Sequence, residues 1–551
     1  MLVHRLGDSY GDMRGVADWT AVADVDPSVP ALLRHCATHH PARELCVFDD
    51  RRLTYGEADE RSALLAGQFV AAGVGKATRV GMVFPNSPEF IIVWLAIVRI
   101  GAVAVPISTL STGTELRSVI RHSDLALLVT ADRYRNRDYP AGLESALEGL
   151  AESRGALRLH DAPYLRGVWV WGSSAPAWAS ALDLSTPSGV SRELLAAIEG
   201  EVSPADLVSI IYTSGSTGSP KGTMHTHNGF MRQAAKLGAI MPYRRDDRVF
   251  TPMPFFWVGG LTYTVLAAMH VGCALLGSGS TGSELLDFLE RERVTYLTGW
   301  PHLLTALETD PSFPQRDLSA LRGGNLLAAL PPGQRPRNQV FGIALGMTET
   351  AGPHTVSHPD YPDELAGTLG PVMPGMEHRL IDPDSGTDVA PGAPGELLVR
   401  GDTLMAGFVK QEREACFDAA GWYHTGDLCS YRDDHIFFHG RLDDMIKSSG
   451  ANVSPREVEA ALASLPGIEQ AIVVSVPDPQ RVSIVGAVVV ARGGATLLAE
   501  DIRRSLRGTL SEYKIPRVIR IIQPADLPVL SSTKIDRRLL AGMLSDVARS
   551  D

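Results

Sequence analysis

"DLVSIIYTSGSTGSPKG", residues 206–222, turns from apolar to almost wholly polar within a few positions. Its first part, Leu207 to Tyr212, reads as a short buried strand. The ten residues after Tyr212 cannot pack a core, because they are mainly glycine, serine and threonine, with Lys221 near the end. Glycines let backbone N–H groups turn inward and hydroxyls add donors, so such a turn can cradle an anion such as phosphate, with Lys221 neutralising charge. A solvated Gly/Ser linker is the plain alternative. The apolar strand upstream and the lysine at the end argue for the anion site. The spacing fits neither G-x-x-x-x-G-K-[ST] nor G-x-G-x-x-G, so the loop alone indicates neither a P-loop nucleotidase nor a Rossmann site.

The rest of the chain sets bounds on what the loop can serve. With 551 residues, three or four units of ordinary size are expected. A net charge of −12 without a long basic run speaks against nucleic acid as a partner. Cys36, Cys46, Cys273, Cys416 and Cys429 show no CxxC or metal-type spacing, which fits reduced or incidental thiols in a cytoplasmic protein. The opening residues lack the apolar run of a signal peptide. "FIIVWLAIVRIGAVAVPI", residues 90–107, has the length of a membrane span, but Arg99, Gly101 and Pro106 interrupt it. It reads instead as a buried helix over 88–100, a glycine turn and a strand over 102–105, and no membrane span is expected.

Alternating strand and helix patterns around this segment predict α/β layers with largely parallel sheets. Thr54 and Glu57 form a capping box before a helix; "RVGMVF" and "DLALLVT" (124–130) are strands. Residues 131–205 read as a less regular surface region. The α/β alternation continues to about 345, and short strands with turns over about 366–440 mark a β-rich subdomain. Ser454, Pro455 and Glu457 then open a helix, followed by two strands and a helix over about 498–508. The expected fold is a large N-terminal α/β domain of layered sheets, 1–440 with its β-rich subdomain, and a small mobile α+β C-terminal domain, 441–551.

Five motifs occur in order: "YTSGSTGSPKG", "GMTET" (346–350), "GWYHTGDL" (421–428), "GRLDDMIKSSGANVSPREVE" (440–459) and "STKIDRR" (532–538). Together they closely resemble the adenylate-forming superfamily of acyl- and aryl-CoA synthetases, luciferases and nonribosomal adenylation domains, over roughly 53–540. The resemblance implies ATP, Mg²⁺ and coenzyme A as cofactors, and a carboxylic acid activated through an acyl-adenylate. The loop of Thr213, Ser214, Gly215, Ser216, Thr217 and Gly218 would grip the β- and γ-phosphates. Thr348 would contact the α-phosphate and Glu349 would hold Mg²⁺. Asp427 would accept the ribose hydroxyls beside Arg441. Lys534 would bridge carboxylate and α-phosphate oxygens. The resemblance further implies a hinge at Asp443. Rotation about it would bring Lys447 and the segment containing Gly450 to face the thiol of CoA. Taken singly, each is an ordinary solvated or turn residue; their order gives them meaning.

The chain also departs from the family pattern. Trp257 in "MPFFWVGG" stands where many CoA ligases have His; with Gly259 and Gly260 behind it, it implies an apolar wall of different shape. Phe255 and Phe256 serve equally well as core. Leu345 stands where the family commonly stacks Tyr or Trp on adenine, which leaves adenine to Gly324, Asn325 and apolar contact. "RGGNL" (322–326) resembles the family's GGA loop, with Gly323 at the substrate pocket and Asn325 in place of Ala. Thr533 replaces the usual glycine before the lysine. The expected activity is an ATP-dependent acyl-CoA synthetase for a bulky hydrophobic acid: fatty, aryl or polycyclic terpenoid. Amino acids are disfavoured, because no aspartate stands near Phe256 to hold an ammonium group. Three alternatives share the motifs: loading of a free-standing acyl carrier protein, a luciferase-like oxygenase, and a non-catalytic nucleotide-binding homologue. Because the sequence ends soon after Lys534, no fused carrier domain is expected. A homodimer is compatible with the sequence.

Overall fold

Two parallel sheets share one set of buried helices. The computed structural model describes residues 26–172, 175–213, 221–241, 243–330, 344–357, 363–442, 446–448, 451–478, 482–493, 495–507, 509–510, 514–530 and 534–548. The longer sheet runs, in spatial order, Gly407–Phe408, Lys221–Thr226, Leu207–Thr213, Val103–Pro106, Arg79–Val83, Leu127–Ala131, Gly167–Trp171 and Ser180–Ala181. Its strands are parallel except where Lys221–Thr226 turns back against both neighbours. The second runs Gly323–Gly324, Tyr296–Leu297, Arg248–Phe250, Ala274–Gly277, Glu44–Phe48 and Arg51–Thr54, parallel apart from its last hairpin.

Helices Val29–His39, Tyr55–Ala71, Pro88–Val98 and His227–Ile240 join buried residues of both sheets in one core. Every residue from Phe90 to Val98 is buried, with the Trp94 indole N–H donating to Ser209 Oγ at 3.2 Å. Buried on all sides, this helix needs no polar face. Arg99 caps its end and is itself buried, with Nε on Glu199 at 2.7 Å and Nη2 on Asp59 at 2.9 Å. Pairing makes a buried cation tolerable. The segment that had the length of a span is thus the central core helix. No helix among the described residues is long and apolar enough to cross a membrane.

Local signals account for several boundaries. Thr54 accepts from the Glu57 N–H at 3.2 Å and the Glu57 carboxylate accepts from the Thr54 N–H at 2.8 Å, the expected capping box. The expected helix over 88–100 ends at Val98, and its strand runs Val103–Pro106. Ser454 occupies the N-cap of the helix Pro455–Ala463 but does not cap it; its hydroxyl donates to the His439 carbonyl at 2.6 Å. A tertiary partner has won over the local one. Residues 131–205 are more ordered than their composition suggests. They supply the strand Gly167–Trp171, paired in parallel with Leu127–Ala131, and a buried apolar cluster including Leu143, Leu150 and Leu157. The five cysteines are free and buried.

The β-rich region is a four-stranded antiparallel sheet, Met376–Ile381, Gly395–Gly401, Tyr423–Arg432 and His435–Arg441. Beyond it lies a five-stranded sheet: Ala451–Val453, Ile446–Ser448, Val482–Ala491, Ile468–Asp478 and Val518–Ile522. Helices Pro455–Ala463 and Ala499–Leu506 cover one face and Arg537–Ala548 the other, giving this sheet its own cores. Helix Pro455–Ala463 meets the four-stranded sheet, with the Arg456 guanidinium 4.7 Å from the Phe438 ring centroid.

Candidate active site

The serine- and glycine-rich turn is closed by an antiparallel ladder. Thr213 faces Lys221 and Tyr212 faces Gly222 in the register. A Cβ on Gly222 would lie 2.8 Å from the Tyr212 ring, so glycine is needed for the ring to cross there. The Tyr212 hydroxyl is hydrogen-bonded to His122 Nδ1 at 2.8 Å. The Lys221 ammonium sits 5.4 Å from the centroid of Phe408, a cation–π distance. Phe408 in turn lies 6.3 Å from the Tyr423 ring.

Tyr423 links this group to the next. Its hydroxyl donates to Glu349 Oε1 at 3.4 Å. Burial first, then the Glu349 charge, raise the phenol above its ordinary value, so it remains a donor. Glu349 and Thr348 share a tight turn, Thr348–Thr350, followed by Ala351 at φ 58° and Gly352 at φ 131°. The buried Thr350 hydroxyl donates to the Gly352 carbonyl at 2.7 Å. From the helical layer, Thr262 donates to the Ala351 carbonyl at 2.8 Å and Gln233 to the Pro353 carbonyl at 2.7 Å. The turn is thus held on both sides.

Asp427 lies further along the Tyr423 strand. Glu396 and Leu398 face Leu428 and His424, so the strand carries extra residues here, a bulge around Thr425–Asp427. Gly426, at φ 70°, supplies the left-handed conformation the bulge needs. The Asp427 N–H donates to Thr425 Oγ1 at 3.0 Å, and its carboxylate accepts from Arg441 Nη1 at 2.9 Å across the register. Asp427 is 4% exposed.

A second group gathers where three parallel strands end. Arg248–Phe250, Tyr296–Leu297 and Gly323–Gly324 lie side by side, and their C-terminal ends lead to Trp257, to Gly299–Trp300 and to Asn325. Crevices at such strand ends are where open α/β sheets take ligands. Phe255 meets Phe48 and Phe90 at ring distances of 5.7 and 5.5 Å, and both Phe255 and Phe256 are buried. They are core; Trp257 is only partly buried. Trp257 precedes a π-helix, Gly259–Leu266. A Cβ on Gly260 would overlap the Pro254 carbonyl oxygen, and one on Gly259 would lie 2.7 Å from Met253 Sδ. Gly324, at φ 111°, leaves no room for a Cβ against the Leu297 carbonyl. This wall is shaped by glycines.

The AMP-binding enzyme profile matches residues 33–409, and that of the AMP-binding enzyme C-terminal domain matches 457–534. The chain belongs to the AMP-binding enzyme family. Within it, the chain falls in the acyl- and aryl-CoA ligase branch of the adenylate-forming superfamily. It is 30% identical over 531 residues to a putative acyl-CoA synthetase, YngI, of Bacillus subtilis (strain 168), covering 93% of this chain and 96% of the relative. It is 31% identical over 508 residues to the 3-[(3aS,4S,7aS)-7a-methyl-1,5-dioxo-octahydro-1H-inden-4-yl]propanoyl:CoA ligase of Mycobacterium tuberculosis (strain ATCC 25618 / H37Rv), covering 90% and 95%. In fold it resembles the anthranilate CoA ligase AuaEII in complex with anthranoyl-AMP, with TM-score 0.77 and 23% identity over 95% of this chain and 98% of that one.

For an AMP-binding enzyme, the structure joins Thr213, Lys221, Glu349, Asp427 and Arg441 through Phe408 and Tyr423. Ser214, Gly215, Ser216, Thr217, Gly218, Asp443 and Gly450 lie outside the described residues. Lys447 is in the strand Ile446–Ser448, opposite Asn452. Lys534 is exposed, and its carbonyl accepts from the Leu530 N–H at 2.7 Å. Among the described residues, no hydrogen bond or ion pair joins its side chain to Thr348, Glu349 or Asp427. Leu345 packs against the four-stranded sheet beside Leu397, Val399 and Ile436. Asn325 gives its side chain to Gly299.

Among the described residues, no group of three or more His, Cys, Asp or Glu could hold a metal. Magnesium held by one carboxylate, substrate phosphates and water needs none, and Glu349 suits that mode. Sequence reasoning missed Tyr423. Its signal was an aromatic residue four positions before Asp427, inside a motif already singled out.

Proposed function

We propose that this chain is an AMP-forming acid–CoA ligase acting on a bulky hydrophobic carboxylic acid. The observation that carries the reading is Tyr423, which opens its strand on the Glu349 turn, while the same strand holds the Asp427–Arg441 pair four residues on. That arrangement ties the Glu349 carboxylate, which would hold the metal, to the strand carrying Asp427, which would accept from the ribose.

In the first step, a carboxylate oxygen of the acid attacks the α-phosphorus of ATP; the bond to the β-phosphate oxygen breaks and pyrophosphate leaves. Two anions must meet, so donors and cations aimed at the developing charge govern the barrier. Thr213 to Gly218 with Lys221 would hold the β- and γ-phosphates, and Thr348 the α-phosphate. Asp427 would accept from the ribose hydroxyls while Arg441 holds its other side. Glu349 would hold Mg²⁺, which neutralises phosphate charge when bound. Lys534 would bridge the carboxylate and α-phosphate oxygens. Its side chain is exposed, and rotation of the small domain about Asp443 would bring it to the reacting groups. In the second step, the CoA thiol adds to the acyl carbon, loses its proton and expels AMP, with the Lys447 segment facing the site.

The acid class follows from the wall. Trp257, Gly259, Gly260 and Gly323 would line an apolar surface, no aspartate stands near Phe256 in the sequence to hold an ammonium group, and a relative of similar length carries a fused-ring propanoyl group in its name. Pyrophosphate release with a panel of fatty, aryl and polycyclic acids, with and without CoA, tests the reading. Acid-dependent release with acyl-CoA formation is expected. Thioester formed on a carrier protein but not on CoA would redirect it, and no release with any acid would overturn it.

A further inference from the structure

Asn325 stands in the segment expected to meet adenine, yet its side chain is committed elsewhere. Its Oδ1 accepts from the Gly299 N–H at 2.9 Å, and its Nδ2 donates to the Gly299 carbonyl at 2.7 Å. Its own N–H donates to the Leu297 carbonyl at 2.9 Å. A side-chain amide that satisfies both main-chain groups of one residue fixes that residue as a ladder pair fixes a strand. A small apolar residue at 325 could do neither.

What is fixed is the turn Gly299–Trp300–Pro301 that comes after the strand Tyr296–Leu297. Trp300 is the N-cap of the helix Pro301–Glu308 and makes no side-chain cap bond. N-caps favour Ser, Thr, Asp or Asn because these satisfy open N–H groups of the first turn. Here an indole takes the place and remains 39% exposed. Where a local rule is broken in this way, a functional reason is the first to test. The position supplies one. Trp300 and Trp257 come after the C-terminal ends of neighbouring parallel strands, and Gly323–Gly324 closes the row on the third. Thr298, just before the turn, donates its N–H to the Phe250 carbonyl at 3.0 Å, tying the first two strand ends together.

We propose that Asn325 is a positioning residue for the acid pocket rather than a nucleotide contact: by clamping Gly299 it holds the Trp300 indole as the rim opposite Trp257, shaping the site for a flat, fused-ring or aryl acid. This rests on the ligase reading above. The clamp acts on the shape of the acid site and leaves the nucleotide half alone.

The test compares wild type, Asn325→Ala, Asn325→Asp, Trp300→Ala and the Asn325→Ala/Trp300→Ala double variant, using a short aliphatic acid and a two-ring aryl acid. Asn325→Ala and Trp300→Ala should each lower kcat/KM for the aryl acid about tenfold relative to the short acid. KM for ATP should stay within about twofold. The double variant should resemble Trp300→Ala alone, because residues acting through one contact are not additive. Asn325→Asp keeps the acceptor for the Gly299 N–H and should recover part of the loss. A raised KM for ATP with unchanged acid preference would overturn the clamp, as would additive losses. Wild-type protein that forms adenylate from no acid would overturn the ligase reading and the clamp with it. That result is told apart by appearing without any substitution.

Discussion

The two halves of the site are built by different means. On the proposed nucleotide side, polar groups already have partners: Arg441 on Asp427, Tyr423 on Glu349, and Lys221 over the Phe408 ring. On the acid side, the wall is set by places where a Cβ cannot fit and by one amide gripping a main chain. ATP is the same molecule for every enzyme of this kind, so its half is a fixed pattern of polar residue types. The acid differs from enzyme to enzyme, and its half is a shape. The contrast has measurable consequences.

The largest effect expected is that of acid on stability. His354 is buried, hydrogen-bonded by Nδ1 to His378 at 2.8 Å, which in turn reaches the Tyr431 hydroxyl at 2.6 Å. Burial lowers His354 to about 3 and His225, beside the Thr348 main chain, also to about 3. In the unfolded chain both return to roughly 6.5. Between about 3 and about 6.5 the unfolded chain binds the extra protons, so stability falls as pH falls through that window and is flat above it. Each histidine costs up to about 1.4 kcal/mol per pH unit. Hydrogen exchange at decreasing pH should show the 345–355 segment losing protection before the Trp257 and Trp300 segments. Simultaneous loss in both halves would break the distinction.

Next in size is Lys534→Ala. Because Lys534 would touch both reacting anions, adenylate formation should fall about a hundredfold or more for every acid alike. A loss that depends on the acid would place the lysine in the acid half. Asp427→Asn should raise KM for ATP about tenfold, since a hydrogen bond to a charged group is worth roughly 1.5–3 kcal/mol, and should leave the ratio between acids unchanged. Tyr423→Phe is the mildest, because the bond removed is 3.4 Å long. A two- to fivefold fall in kcat is expected, on the order of 0.5–1 kcal/mol for a weak neutral donor, with the Mg²⁺ concentration dependence shifted and acid preference intact.

How much of this was legible in the sequence obeys the same division. The strand Leu207–Thr213 and the capping box at Thr54 each announce themselves through local chemistry. The acid half depends on partners far apart in the chain. Nothing near Asn325 says that its amide will find Gly299, and nothing near Ser454 says that it will prefer the His439 carbonyl to its own helix. The burial of 131–205 was hidden in the same way, because its strand Gly167–Trp171 is completed by Leu127–Ala131. The packing of the partly buried Leu345 beside Leu397 and Ile436 was equally hidden, since these partners lie more than fifty residues further along the chain.

One pairing in the longer sheet bears on how the molecule is made. The strand that begins at Lys221 has Leu207–Thr213 on one side and, on the other, Gly407–Phe408, through Thr223↔Phe408 and Met224↔Gly407. At ribosomal rates of about 5–20 residues per second, that outer neighbour emerges roughly ten to forty seconds after the strand it covers. Until then the nascent chain carries a bare hydrogen-bonding edge on that strand, the kind of surface that recruits a neighbouring polysome's product. A chaperone with affinity for extended backbone would find a client segment there.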